Sequence, residues 1–248
     1  MKLIRSIIIT PNIHMSTKTE QRKTMDKQVY KKLSHVEHVY ELPDSYVGSV
    51  DATELETYVI NEQNEVQYRK IEYVPALYKI YDEILVNAED QYVRMLNTKG
   101  FPVSHIDISI DPVTRRISVM NDGEGIEIKK MKEYKKYPAE MIFGELLTSS
   151  NYDKTEQKVT GGKNGYGAKL TNIFSTEFTI ETVDAKRKLH FKQTYTRNMR
   201  EKGEPIITKY GGPPYTQVSF VPDLERFGLT EISVDMLALM KKRAFDIA

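Results

Sequence analysis

A chain of 248 residues, 40% hydrophobic and 29% charged, is long enough to bury one substantial core and polar enough to be an ordinary soluble domain. Its 36 Lys+Arg against 35 Asp+Glu leave a net charge of +1, which gives no overall bias toward a polyanion, and the absence of cysteine excludes disulfides and thiolate metal sites. The five histidines fall at no zinc-like spacing, and no apolar run reaches the roughly 18 residues that a membrane helix needs.

The opening MKLIRSIIIT is apolar but lacks a small-residue cleavage pattern, so it reads as an edge strand or arm that passes into a polar stretch from Asn12 to Lys27. Val29, Leu33, Val36 and Val39 recur at three- and four-residue steps, predicting a short amphipathic helix over 29–40 that ends before Pro43. Val59-Ile60 and Val66–Tyr68 flank the polar run Asn61–Glu65 as a hairpin. A longer helix follows, with Pro75 in its first turn and Leu77, Ile80, Tyr81, Ile84, Leu85 and Ala88 on one face. Glu83 and Asn87, four residues apart at the border of that stripe, are neighbours on the helix surface. The pair is either ordinary surface polarity or a water-activating carboxylate beside an amide oxygen able to reach Mg²⁺.

Val103–Ile110 reads as a strand, and Ile117 and Val119 lie on a second that runs into Asn121-Asp122-Gly123-Glu124-Gly125. Asp122 is expected to face a pocket, where its carboxylate would accept from an exocyclic amine such as adenine's; an Asx-Gly turn is the plainer alternative. Lys129–Lys136 is strongly basic and solvent-facing by composition. Ala139, Ile142, Phe143, Leu146 and Leu147 form a short helical stripe before Thr148–Asn151. Thr160–Lys169, TGGKNGYGAK, then packs four glycines and two lysines into ten residues. Glycine at that density permits φ > 0 and close approach of bare backbone to a ligand, and amides beside lysines suit phosphate. The spacing does not fit the phosphate loop that ends G-K-[ST], so a phosphate site here belongs to another architecture. Phe178, Ile180 and Thr182, then Leu189, Phe191, Gln193 and Tyr195, alternate around Asp184–Arg187 as an antiparallel hairpin; Val218 and Phe220 mark a further strand. Met236, Leu237, Met240 and Phe245 mark a last helix that reaches the final residues without a convincing cap, as in a piece of a larger protein.

Strand pairs joined by short turns and interspersed with amphipathic helices predict an α/β two-layer sandwich, its mixed, largely antiparallel sheet covered by helices on one face. The Glu83/Asn87 helix, the Asn121–Gly125 loop and the glycine-rich segment together resemble the Bergerat-type ATP-binding fold of DNA gyrase, heat-shock chaperone 90, sensor histidine kinases and MutL mismatch-repair proteins. Within it the text is similar to the amino-terminal ATPase domain of eukaryotic-type DNA topoisomerase II, a type IIA enzyme. The carriers are EHVYELPDSYVGS at 37–49, ALYKIYDEILVNAEDQ at 76–91, NDGEGI at 121–126, IFGELLTSSNYD at 142–153 and VTGGKNGYGAKLTNIFS at 159–175, with FVPDLERFG at 220–228 and ALMKKRAFDIA at 238–248. The uninterrupted TSSNYD and GGKNGYGAK favour this family over a chaperone or a histidine kinase, and the presence of all the proposed nucleotide contacts disfavours a purely structural or partner-binding descendant.

The resemblance implies ATP and Mg²⁺ as ligands, Glu83 as the base that activates water, and Asn87 as the magnesium ligand. It implies Asp122 at the adenine amine and Ser149, Ser150 and Asn151 along the sugar and phosphates. Gly162, Lys163, Asn164, Gly165, Tyr166, Gly167, Ala168 and Lys169 would wrap the triphosphate. Residues 1–28 would be a flexible arm and 29–248 the ATP-binding domain, with Tyr30 placed to reach a partner's nucleotide in a homodimer whose gate closes on ATP. The complete enzyme would pass one double-stranded DNA through a break in another, in the nucleus if cellular or at a nuclear or cytoplasmic replication site if viral, with no membrane involved. Transducer and DNA-cleavage domains are absent from these residues, so the chain alone is expected to bind ATP, hydrolyse it weakly and leave DNA uncut. Leu42, Gln91 and Glu127 depart from the family's usual arginine, asparagine and proline.

Overall fold

The computed structural model describes residues 32–96, 98–146 and 166–247. The compact unit runs Leu33–Ala248. It opens on α1, His35–Glu41, which starts later than the apolar spacing predicts. The physical reason is a capping box: the Ser34 hydroxyl accepts from Glu37 N–H at 3.2 Å and the Glu37 carboxylate from Ser34 N–H at 2.8 Å, fixing the first turn at His35. A 3₁₀ turn over Pro43–Ser45 ends this segment, and Leu42 before it lies exposed.

Strands β1 (Thr53–Ile60) and β2 (Val66–Tyr73) form the expected hairpin, a separate two-stranded sheet longer than its apolar ends suggest. Helix α2, Pro75–Leu96, buries the whole predicted stripe from Leu77 to Ala88. The main sheet is built from β3 (Ile106–Asp111), β4 (Arg116–Asn121), β5 (Ser175–Asp184), β6 (Leu189–Thr196), β7 (Glu201–Lys202), β8 (Ile206–Lys209) and β9 (Thr216–Pro222). Its order is β3-β4-β9-β5-β6-β7, with β8 also pairing β6, and every pairing among the described residues is antiparallel. Strand β3 begins at Ile106 rather than Val103 because Ser104 and His105 are occupied by Asp122, as described below.

Alternation along the strands sorts the two faces of the sheet. Ile117, Val119, Phe178, Ile180, Phe191, Tyr195, Val218 and Phe220 point to the helical side and share one core with Leu77, Ile80, Tyr81, Ile84 and Leu85 of α2. The opposite face is polar, with Ser118 bonded to Ser219 at 2.8 Å and Thr179 to Thr194 at 2.9 Å. Two short helices complete the layer: α3, Pro138–Gly144, and α4, Gly167–Ile173. Ile142, expected in the α3 stripe, is exposed, whereas Ala139 and Phe143 are buried. Helix α5, Val234–Asp246, starts on a Ser233 cap and packs on both α2 and the β1–β2 hairpin; Phe245 at its end is exposed.

Candidate active site

Helix α2 brings the first two candidate groups together on successive turns, and α4 supplies the surface that Glu83 faces. Glu83 and Asn87 are both half-buried on successive turns of α2. The Glu83 carboxylate lies directly on the Cα of Gly167, the first residue of α4, where any Cβ would run into Glu83 Oε2. A side chain at 167 would displace the Glu83 carboxylate from this position, so glycine here is what lets the carboxylate rest on α4. Thr171 Oγ donates to Ile80 O at 2.8 Å and locks α4 against α2 one turn away. The other Glu83 oxygen receives Lys79 Nζ at 2.5 Å, which orients the carboxylate along the helix surface. One turn beyond Asn87, Gln91 Nε2 donates to Glu124 O at 3.0 Å, so α2 also holds the loop that follows β4.

The Asp122 carboxylate, expected from sequence to face a pocket, is engaged by Ser104 and His105. Ser104 N–H and His105 N–H donate to its Oδ1 at 2.7 and 3.0 Å, and Oδ2 takes the Ser104 hydroxyl and lies 2.9 Å from His105 Nδ1. Burial alone would raise this carboxyl, but the His105 and Ser104 donors outweigh it and hold it below the ordinary value. Strand parity is the cause. Ile117, Val119 and Asn121 are the buried positions of β4, so the helical side receives Asn121 and the next residue turns away.

Asn121 is 6% exposed, and among the described residues its Oδ1 is a buried acceptor without a hydrogen-bond partner. Directly across the ladder stands Thr216, whose hydroxyl is 2.9 Å from that of the fully buried Thr182. Thr182 also accepts Ile126 N–H at 2.9 Å, and a Cβ at Gly125 would strike the Val183 carbonyl, so the loop after Asn121 lies flush on β5. This amide-and-hydroxyl corner was missed from sequence, although the Ile117, Val119, Asn121 alternation was a signal for it.

Lys169 is 1% exposed within α4. Burial pushes its ammonium down to about 8, with Glu145 acting in the opposite direction. Asn172, one turn on, donates from Nδ2 to Phe143 O at 3.0 Å and ties α4 to the end of α3. Tyr166 and Ala168 flank Gly167 at the start of α4. Ser149, Ser150, Asn151, Gly162, Lys163, Asn164 and Gly165 lie outside the described residues, as do Tyr30 and residues 1–28. Of the departures, Gln91 gains the Glu124 contact and Glu127 pairs with Arg187.

The described residues contain no group of three or more His, Asp or Glu that would cage a metal. A single amide such as Asn87 suits Mg²⁺, which keeps several waters and is held largely by substrate phosphates. The orphaned Asn121 acceptor suits an exocyclic amine, and the bare Gly167 backbone lies against the Glu83 carboxylate.

No family model matches the chain. It is 47% identical over 230 residues to DNA topoisomerase 2 of Penicillium chrysogenum, covering 92% of this chain and 14% of that protein. The DNA topoisomerase 2 of Acanthamoeba polyphaga mimivirus is 44% identical over 238 residues, covering 94% of this chain and 18% of its own length. The chain therefore spans under a fifth of the relatives it matches. Among solved structures, the ATPase region of Saccharomyces cerevisiae topoisomerase II superposes with a TM-score of 0.83 at 46% identity, covering 88% of this chain and 57% of that one. The ATPase and transducer domains of DNA topoisomerase II from Balamuthia mandrillaris give 0.84 at 46% identity, covering 91% and 58%. The ATPase domain of Thermus thermophilus gyrase B shares the fold alone, with a TM-score of 0.53 at 21% identity over 79% of this chain and 41% of that one. With 44–47% identity over about nine-tenths of its length, the chain belongs to the DNA topoisomerase 2 family and corresponds to its ATPase region.

Proposed function

We propose that this chain is the ATP-binding and ATP-hydrolysing entrance gate of a type IIA topoisomerase that passes one DNA duplex through a break in another. The observation that carries this reading is the Glu83 carboxylate laid on Gly167, at the end of a glycine-rich segment, in a chain 46% identical to ATPase regions. Glu83 orients water and takes its proton as the water meets the terminal phosphate. Lys79 keeps that carboxylate in place. Asn87 holds Mg²⁺, which when bound neutralises phosphate charge. Lys169 and the backbone through Gly162, Lys163, Asn164, Gly165, Tyr166, Gly167 and Ala168 hold the phosphates, with Ser149, Ser150 and Asn151 along the sugar.

For the base, Asn121 replaces Asp122 as the reader, with Thr216 beside it, because Asn121 presents the unpartnered acceptor and Asp122 is already saturated. Asn121→Ala is expected to weaken ATP binding by roughly 5- to 100-fold and to narrow the preference for ATP over GTP, the loss of about one buried hydrogen bond. Titration of both nucleotides against wild type, Asn121→Ala and Asp122→Asn decides it. Unchanged ATP and GTP affinities in Asn121→Ala, with a narrowed preference in Asp122→Asn, return the role to Asp122. A wild-type chain that binds neither nucleotide removes the ATP reading altogether.

The gate reading also requires a second copy. A non-hydrolysable ATP analogue with Mg²⁺ is expected to shift the chain from monomer to two-fold dimer, with residues 1–28 as the clasp. Sedimentation velocity of the intact chain and of a chain lacking 1–28 reads this. An analogue-induced dimer that survives deletion rejects the clasp, and an intact chain that stays monomeric assigns closure to residues beyond this region.

A further inference from the structure

The overall charge is +1, yet positions 129–136, KKMKEYKK, carry five lysines against one glutamate. The fold mounts this run firmly. Ile126 N–H donates to Thr182 Oγ and Ile128 N–H to Asp184 Oδ2, both at 2.9 Å, and the Ile128 side chain is buried, so the segment starts pinned along β5. Beyond it, Met131 N–H donates to Lys136 O at 2.8 Å and Lys135 N–H to Met131 O at 2.9 Å. The resulting turn, with Lys135 at φ +55°, projects Lys132, Glu133, Tyr134 and Lys135 into solvent.

Asp184 joins this turn to a second basic element. Its carboxylate also takes Arg187 at 2.8 Å, which sets Lys186, Arg187 and Lys188 of the β5–β6 turn beside the pinned segment. Tyr210 N–H donates to Lys188 O, and Lys209 pairs with Leu189, so Lys209 extends the same rim. Within the rim, Lys136 is paired with Glu145, Lys186 with Glu124, and Arg187 with Glu127 and Asp184. Lys129, Lys130, Lys132, Lys135, Lys188 and Lys209 are all exposed and have no carboxylate at ion-pair distance among the described residues. Elsewhere Lys70, Lys79, Lys192, Lys202 and Lys242 each sit on an acidic side chain. A near-neutral protein has thus gathered a block of exposed ammonium groups on one edge, with Lys130 lying over the Tyr137 ring at 5.4 Å and within electrostatic reach of Glu140.

We propose that this rim is a contact surface for the phosphate backbone of duplex DNA, bound without sequence preference. The inference rests on the reading of the chain as a topoisomerase gate, since a gate that admits a duplex must meet it. Lysines on a turn tip are point donors suited to backbone phosphates, and they present no planar fork for reading base edges. Tyr134, 50% exposed at the tip, is the one large apolar side chain of that turn in solvent, which is too little for insertion into a lipid surface. The rim continues directly from the Asn121 loop, which Gln91 tethers to α2, so duplex held there lies next to the nucleotide corner.

The test is anisotropy of a fluorescein-labelled duplex titrated with the whole chain at salt from about 50 to 200 mM. Lys129→Gln, Lys130→Gln, Lys132→Gln and Lys135→Gln combined should weaken binding at least roughly tenfold and reduce the salt slope by about 3 to 4. A charge-matched control with Lys70, Lys99, Lys192 and Lys242 changed to Gln should stay within about twofold of wild type if location rather than net charge matters. Two duplexes of unrelated sequence should bind alike, and affinity for an ATP analogue should be the same in all three proteins. Wild-type DNA affinity in the rim variant, an equal loss in the control, sequence-dependent binding, or tighter binding to anionic vesicles or a phosphopeptide than to duplex each overturns the proposal. A chain that binds the analogue but not DNA rejects the rim and spares the gate reading; one that binds neither rejects both.

Discussion

Glu83→Gln is expected to lower saturated ATP turnover by roughly 10²- to 10⁴-fold with little change in nucleotide affinity. The amide has the size of the carboxylate, so contact with Gly167 and the α2–α4 approach persist, and only the proton acceptor is lost. Lys79, 2.5 Å from the other carboxylate oxygen, then faces a neutral partner and loses an ion pair that is partly in solvent, a minor effect on stability. Nucleotide binding and steady-state phosphate release, measured separately and best in the complete enzyme, divide the outcomes. Near-wild-type turnover rejects Glu83 as the base. Weakened binding with unchanged saturated turnover makes it a binding residue.

Lys169→Met should weaken ATP binding by roughly 10- to 150-fold, the range for a lost charge-assisted hydrogen bond to phosphate. The wild-type protein should show a pH signature that this variant lacks. Because burial pushes the ammonium down to about 8, a site that binds phosphate through the protonated amine loses affinity above that pH, by roughly tenfold for each further pH unit. Stability without nucleotide moves the other way. The folded state binds fewer protons than the unfolded chain between about 8 and the ordinary value of 10.5, so this group makes unfolding harder as pH rises through that window. The contribution is on the order of a few kcal/mol, because a tenfold change in a protonation equilibrium is worth about 1.4 kcal/mol. Calorimetric titration of an ATP analogue from about pH 7 to 9.5, beside urea melts of the same samples, tests both signs. Parallel pH profiles in wild type and Lys169→Met make Lys169 a buried structural residue.

Much of the scaffold was legible from short-range pattern. The α2 stripe could be assigned residue by residue because a long helix with one buried face repeats its apolar positions every three or four residues, and all of Leu77, Ile80, Tyr81, Ile84, Leu85 and Ala88 are buried. The β5–β6 hairpin was equally plain from period-two alternation around a polar turn. The capping box at Ser34 was also present in the text, and reading it would have placed the start of α1 correctly. Helix α4 was not legible. Ala168 through Ile173 are all buried, so the helix has no polar face and leaves no amphipathic period, and two of its seven residues are glycine and lysine from a run that reads as loop.

The sequence by itself determined the fold class, the family and the neighbourhood of Glu83 and Asn87, because those depend on local periodicity and on long continuous motifs. Strand parity already turned Asn121 inward, but tertiary structure alone decided which groups claim Asp122, since Ser104 and His105 lie 18 and 17 positions away. It also decided that β9 enters between β4 and β5, which sets Thr216 opposite Asn121. The lysine-rich run near 130 and the turn at 186–188 become one rim only through the Asp184 carboxylate that binds both. Such contacts join side chains far apart in the chain, and no property of either segment alone encodes which partner closes the loop.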